Sequence, residues 1–397
     1  MRQRLKEIQA FHPESHVAST VGAMPPSGIR KFFDLVNEME GAISLGVGEP
    51  DFVTPWHIRE ACIYSLESGV TSYTSNKGMP ELRGSIVEMM KSEAGLEYDP
   101  EEEILVTTGV SEAVDLAFRA TLNPGDEVIV PEPCYVAYVP DVVLAGGVPI
   151  TVPTKPSDQF KVRPDEISQA VTKRSKALML SYPNNPTGAI MSRDDLEELA
   201  DVVVENDLLV ISDEVYGQLT YPGRHISFAQ LEGMQDRTVV LNGLSKSHAM
   251  TGWRIGFAAG NSAIVSAMTK IHQYTMLCAP VMAQVAALEA LQKGEEGMLA
   301  MKHEYNLRRR LFVSGLNRIG LDCFEPQGAF YAFPSVRETG LTSEAFAEQL
   351  LKKHKVAVVP GNVFGQSGEG FLRCSYATSR EELIEALDRM ETFLKGL

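Results

Sequence analysis

The sequence predicts an α/β fold: a mostly parallel central sheet flanked by helices, followed by a smaller α+β unit. Three features point there. Strand-like and helix-like segments alternate from about Glu103 to Leu241, the pattern that builds a parallel sheet with helices on its faces. One strand, Leu208 to Ser212, is nearly all apolar, as expected where both faces of a sheet are covered. After Ser262 the balance shifts to long helices with short strands between them.

The elements follow in order. The segment ahead of Leu45 reads as an arm, broken at His12-Pro13 and Pro25-Pro26-Ser27-Gly28, with a short helix over Ile29 to Met39. Ile104 to Val106 is a strand and Ser111 to Thr121 a helix with apolar residues at helical spacing. Asn123-Pro124-Gly125-Asp126 is turn chemistry. A strand (Glu127 to Val130), a helix (Val136 to Ala145) and two strands (Val148 to Val152, Ala177 to Ser181) come next. Ser192 is a good N-cap for the helix to Glu205, with Asp194 and Asp195 in the first turn, where the helix dipole favours them. Strands at Leu208 to Ser212 and Thr238 to Leu241 complete the sheet. Beyond Ser262 lie helices at Val281 to Gln292 and Gly297 to Arg318, strands at Ala329 to Phe333, Val356 to Val359 and Phe371 to Cys374, and a last helix from Ser379 to about Phe393. The expected division is an arm with part of the small domain over 1–45, a large domain over 46–285 and a small C-terminal domain over 286–397.

A chain of 397 residues with 44% apolar and 22% charged residues can bury a sizeable core without disulfides or structural metal. The net charge of −16 comes with no basic block, so a nucleic-acid partner is not expected. Cys62, Cys134, Cys278, Cys323 and Cys374 form no Cys-x-x-Cys pair and suit a reducing compartment. Met1 to Gln9 has no apolar core of a secretory signal and no apolar run spans a bilayer, so the expected location is the cytoplasm, with no membrane partner. His12 and His16 have Pro13 between them and no carboxylate pattern beside them, so no metal site is expected.

Four segments carry chemistry. Asn242 to Arg254 follows a strand and sets Lys246 beside Ser245, with Arg254 further on. Burial or neighbouring positive charge makes a lysine nucleophilic, and a hydroxyl and a guanidinium are good phosphate donors; taken alone, a solvated surface lysine is the commoner fate. In Leu208 to Tyr216, Asp213 ends a buried-looking strand, where open α/β sheets bind ligands. Such a carboxylate can keep a pyridine nitrogen protonated, with Tyr216 near a ring oxygen; a plain N-cap is the alternative role for Asp213. Ser181 to Gly188 is turn chemistry that can present the Asn185 amide. Val106 to Ala113 runs from a strand through Gly109 into a helix start, where free amides and the dipole attract anions.

In this order the four segments resemble the class I/II aminotransferases of the pyridoxal-phosphate fold type I superfamily, and more narrowly the bacterial and archaeal branch related to aspartate, alanine and aromatic aminotransferases. The resemblance extends from Leu45-Gly46-Val47-Gly48-Glu49-Pro50-Asp51-Phe52 to Val358-Val359-Pro360-Gly361 and Arg373-Cys374-Ser375-Tyr376-Ala377. It implies that the large domain binds pyridoxal 5′-phosphate, held covalently by Lys246, which also moves the proton at the substrate's Cα. It implies that Asp213 pairs with the ring nitrogen, that Tyr216 and Asn185 bond the ring oxygen, and that Tyr135 stacks on the ring. The amides of Val110 and Ser111, with Ser245 and Arg254, would hold the phosphate, and Tyr73 would reach the phosphate of a neighbouring subunit, implying a homodimer. Arg373 would clamp the substrate carboxylate, helped by Gly48 and Asn185. The amino group of an amino acid would pass to a 2-oxo acid, expected to be 2-oxoglutarate.

Departures from the family pattern bear on substrate. Gly243 stands where many relatives have serine, and Tyr135 where tryptophan or phenylalanine is common. Ser111 stands where some aspartate-using relatives carry a lysine for the side-chain carboxylate; with Tyr331 and Ile29 bordering the side-chain pocket, this points to neutral or aromatic donors. Carbon-sulfur lyases and other fold type I enzymes share the same lysine and aspartate and form the alternative. A dinucleotide oxidoreductase is disfavoured because Asp51 stands where the third glycine of the Gly46-Val47-Gly48 fingerprint belongs. A transcription regulator built on this fold needs a DNA-binding extension longer than the arm.

Overall fold

The computed structural model describes residues 12–26, 28 and 39–397. The helix expected over Ile29 to Met39 lies almost wholly outside the described residues.

The centre is a seven-stranded sheet. In chain order, β1 (Ile43–Ser44) lies outside it. Its members are β2 (Ile104–Thr107), β3 (Glu127–Glu132), β4 (Val148–Pro153), β5 (Ser175–Ser181), β6 (Leu209–Asp213), β7 (Thr238–Gly243) and β8 (Gly256–Ala259). The spatial order is β2-β8-β7-β6-β5-β3-β4. Strands β3 to β7 pair in parallel, while β8 runs antiparallel to both β7 and β2. The sheet is therefore mostly parallel, as expected, with one reversed strand that the sequence reading passed over. That strand follows closely on Arg254 and stops short of the helix starting at Ser262, so it offers no long apolar run to detect.

Alternation along the strands gives the sheet two covered faces. Val128, Val130, Ala177, Met179 and Ile211 point to one face, packed by the helices Val110–Thr121, Tyr138–Leu144 and Ser262–Thr275. Ile129, Leu178, Leu180 and Val210 point to the other, packed by Arg193–Glu205. Further along that face, Val106, Val240 and Phe257 meet Pro80–Ala94 and Val281–Lys293. Ser192 caps its helix as the sequence implies, in a reciprocal arrangement with Asp195.

A separate core unites the C-terminal elements. The long helix Glu295–Arg318 packs with Ser343–His354 and Arg380–Leu394 around Phe312, Phe346, Leu387 and Phe393. Its strands are β9 (Tyr331–Ala332), β10 (Val356–Ala357), β11 (Val359–Pro360) and β12 (Leu372–Ser375). β9 is shorter than expected because a turn occupies Ala329 and Phe330, the expected strand over Val356 to Val359 is split in two, and β12 has the expected length, one residue further on. β12 lies between β11 and β9, and β1 joins β10 in parallel, so Ile43 and Leu45 belong to this core.

Candidate active site

Strand β2 pairs antiparallel with β8, and β8 with β7, so β2 runs in the same direction as the parallel strands. The carboxyl ends of β2, β3, β5, β6 and β7 then share one edge of the sheet, where open α/β sheets bind ligands. A cavity of about 380 Å³ lies there.

Each strand end delivers part of its wall. After β2, Gly109 turns the chain at φ 82°, and the next helix presents Val110 and Ser111 to the cavity. A Cβ at Gly109 would stand 2.5 Å from a terminal nitrogen of Arg254, so a side chain there would push the guanidinium away from the helix start. Tyr135 arrives after β3, Asn185 after β5 and Asp213 at the end of β6, followed by Tyr216. Ser245 and Lys246 follow β7, and Arg254 precedes β8. From the C-terminal core come Arg373 on β12 and Tyr331 on β9, while Gly48 enters from the segment after β1. The fold thus brings together eleven of the sequence-derived site residues, Val110, Ser111, Tyr135, Asn185, Asp213, Tyr216, Ser245, Lys246, Arg254, Gly48 and Arg373. Tyr73 is not among the cavity lining; it is 82% exposed on the surface. Ile29 lies outside the described residues.

The polar groups are arranged for charge. Lys246 Nζ donates to the Gly48 carbonyl at 2.7 Å. Burial pushes its pKa down to about 8; Arg373 and Arg254 push the same way, while Glu49 and Asp213 oppose them. The amine is thereby poised to act as a nucleophile near neutral pH. Asp213 is buried, and burial raises its pKa to about 6 against the hydrogen bonds from Tyr138 and the Val215 amide. Its oxygens take those two donors, at 2.7 and 3.1 Å, and among the described residues no cation lies within hydrogen-bonding distance. A buried carboxylate so placed suits a protonated ring nitrogen as its partner.

Arg373 is 2% exposed. Its terminal nitrogens donate to Asn185 Oδ1 at 3.1 Å and to the Gly46 carbonyl at 2.6 Å, and its Nε has no hydrogen-bond partner among the described residues. The guanidinium sits over the rings of Tyr331 and Phe364, 4.6 and 4.8 Å from their centroids. The terminal nitrogens each keep a further N–H, enough for a two-pronged carboxylate bond. The Tyr216 and Tyr331 hydroxyls are 2.7 Å apart. Anion donors at one end, a buried carboxylate, a depressed lysine and a second arginine together fit pyridoxal phosphate and an amino-acid carboxylate.

Sequence reasoning missed Tyr138, which bonds Asp213, and the lining residues Glu49, Val114, Val215 and Thr251. The one signal for Tyr138 is its helical i, i+3 spacing from Tyr135, which reads equally as core packing.

Comparison with known proteins agrees with this geometry. Residues 40–390 match the family described as aminotransferase class I and II. The Bacillus subtilis (strain 168) protein YugH is 55% identical over 380 residues, covering 96% of this chain and 98% of that one. Aspartate aminotransferase of Pyrococcus abyssi is 47% identical over 373 residues, covering 93% and 96%. The crystal structure of the aromatic aminotransferase from Pyrococcus horikoshii OT3 superposes with a TM-score of 0.88 at 47% identity, covering 92% of this chain and 99% of that one.

Proposed function

The chain belongs to the class I and II aminotransferases and is a pyridoxal-phosphate-dependent aminotransferase, and from that premise we propose that its donor is a neutral or aromatic amino acid and its acceptor 2-oxoglutarate. One observation carries the donor class. Among the described residues lining the cavity, the cations are Lys246, Arg254 and Arg373, and each has a task below. Among these described residues no further positive group meets a side-chain carboxylate, Ser111 is neutral, and Glu49 would repel one.

When bound, the cofactor supplies an aldehyde that accepts the amino group and a protonated ring that draws electrons from Cα. Lys246 would hold it covalently and would move the proton at the substrate's Cα. Asp213 keeps the ring nitrogen protonated, Tyr216 and Asn185 donate to the ring oxygen, and Tyr135 stacks on the ring. The amides of Val110 and Ser111, the Ser245 hydroxyl and Arg254 hold the phosphate at the helix start. Arg373, with Gly48 and Asn185, fixes the α-carboxylate, which directs the reaction to the Cα–H bond.

A homodimer completes the site in this reading, with Tyr73 of the partner subunit at the phosphate. Exposed Trp56, Tyr64, Tyr73 and Tyr274 support it, because large aromatic side chains are enriched at subunit interfaces. The separation of the C-terminal core from the three cores around the sheet supports an arm with part of the small domain over 1–45, a large domain over 46–285 and a small C-terminal domain over 286–397. Five free cysteines suit the cytoplasm; no helix among the described residues is long and apolar enough to cross a membrane.

The test is a panel of amino acids with 2-oxoglutarate. Neutral or aromatic donors are expected to give the highest kcat/KM. Aspartate as best donor would contradict the donor class, and ammonia or thiol release without any oxo acid would favour the lyase alternative.

A further inference from the structure

Tyr138 and Ser181 have no part in holding cofactor or substrate in the reading above, yet both are buried beside Asp213. The Tyr138 hydroxyl lies 2.7 Å from Asp213 Oδ2 and 2.9 Å from Ser181 Oγ. A phenol has one proton to give and an ionised carboxylate has none, so the contacts have one consistent polarity: Ser181 donates to Tyr138, and Tyr138 donates to Asp213. The sheet register sets this up. Ser181 and Asp213 end adjacent parallel strands as register partners, so their side chains leave the sheet on one face, towards the helix that carries Tyr138.

We infer that Ser181 and Tyr138 form a buried hydrogen-bond relay that holds Asp213 in its ionised form and fixes the direction of its free lone pairs, which makes Tyr138 a positioning residue for the reaction. The inference rests on the assignment of Asp213 to the ring nitrogen. Two physical facts support it. A carboxylate buried as Asp213 is would be driven towards its neutral form, and a neutral acid gives the ring nitrogen no counter-charge. A hydrogen bond to the charged form opposes that drive, and it strengthens when its donor is itself polarised by a second hydroxyl.

Several other groups act on Asp213. Glu214, next in the chain, pushes its pKa up, while Lys246 and the Val215 amide pull it down. The phenols of Tyr135 and Tyr216 also face it; burial holds both well on the neutral side. Of the three tyrosines, Tyr138 alone donates to the carboxylate. Its ring also packs edge-on against Tyr135 at 5.6 Å, a contact that phenylalanine keeps.

The experiment is an infrared titration of the full chain without cofactor, following the protonated-carboxyl band that is lost in Asp213→Asn. In the unsubstituted protein the midpoint is expected at about 6. Tyr138→Phe should move it up by about one pH unit or more, the effect of losing one hydrogen bond to a charged group. Ser181→Ala should move it up by less. An unmoved or lowered midpoint in Tyr138→Phe overturns the relay; if that variant does not fold, the Ser181→Ala midpoint decides in the same way. Cofactor affinity is the second readout. The higher midpoint leaves more Asp213 protonated at neutral pH, so Tyr138→Phe should bind cofactor more weakly there, with the gap closing at alkaline pH, where the carboxylate is ionised in both proteins. An equal loss at every pH would show a merely structural role and overturn the inference. Asp213→Asn holding cofactor as tightly as the unsubstituted protein would remove Asp213 from the ring nitrogen, an outcome separate from the titration.

Discussion

Lys246 shows how a residue type becomes a function through its surroundings. A lysine is ordinarily exposed and charged, but here the chain folds over it until its pKa falls to about 8. Arg373 is the complementary case. It stays charged while buried because carbonyl oxygens and two aromatic faces replace its water. Arg373→Ala is expected to raise KM for amino acid and oxo acid alike and to lower kcat/KM by about a hundredfold or more, the scale of a lost buried charge pair. Bound cofactor should be retained, and its visible absorption checks this; a cofactor-free variant would show that Arg373 serves the cofactor instead. At this scale the sequence was legible wherever a residue stands inside an ordered motif. Lys246, Asp213, Asn185 and Arg254 each stand at or near a strand end with distinctive neighbours. Tyr138 stands in an ordinary helix, and its partner Asp213 is distant in the chain, so only folding reveals the pair.

At the scale of elements, strands that follow apolar runs were readable and those defined by pairing were not. β5 and β6 are continuous apolar segments with both faces covered, and their extents nearly match the sequence expectation. β8 is short and antiparallel, and it exists because β2 and β7 lie on either side of it. The short strands of the C-terminal core depend likewise on tertiary contacts. The turn over Gly361–Phe364 and Gln366–Gly368 is one example. A Cβ on Gly361 would meet the Gly368 carbonyl oxygen at 2.1 Å, so the two ends of the loop touch backbone to backbone. Phe364 from this loop accepts the Cys134 amide proton on its carbonyl and lays its ring against Arg373. A loop with no strong motif thereby ties the segment that holds Tyr135 to the strand that holds Arg373.

The whole molecule joins a sheet edge carrying the proposed cofactor groups to a second core carrying Arg373, the proposed carboxylate clamp. The site falls between them because β12 presents Arg373 towards the carboxyl edge of the sheet. Fold class was legible in strand–helix alternation; the pairing of β1 with β10 was not, since it joins distant parts of the chain. In the proposed homodimer, Tyr73, exposed on a single chain, would acquire a ligand only through a second copy. Mixing inactive Tyr73→Ala with inactive Lys246→Ala protein under conditions of subunit exchange is therefore expected to restore activity, because each hybrid holds one site with Lys246 from one chain and Tyr73 from the other. Activity that stays absent in demonstrably mixed dimers would contradict the shared site.

The central claim is a covalent link between Lys246 and the cofactor, and the most direct measurement is borohydride reduction of the purified protein with its cofactor, followed by digestion and mass mapping of the labelled peptide. The expected result is a single reduced pyridoxyl label on Lys246, in the peptide that also holds Ser245. A label on any other lysine, or none on a protein saturated with cofactor, would contradict it.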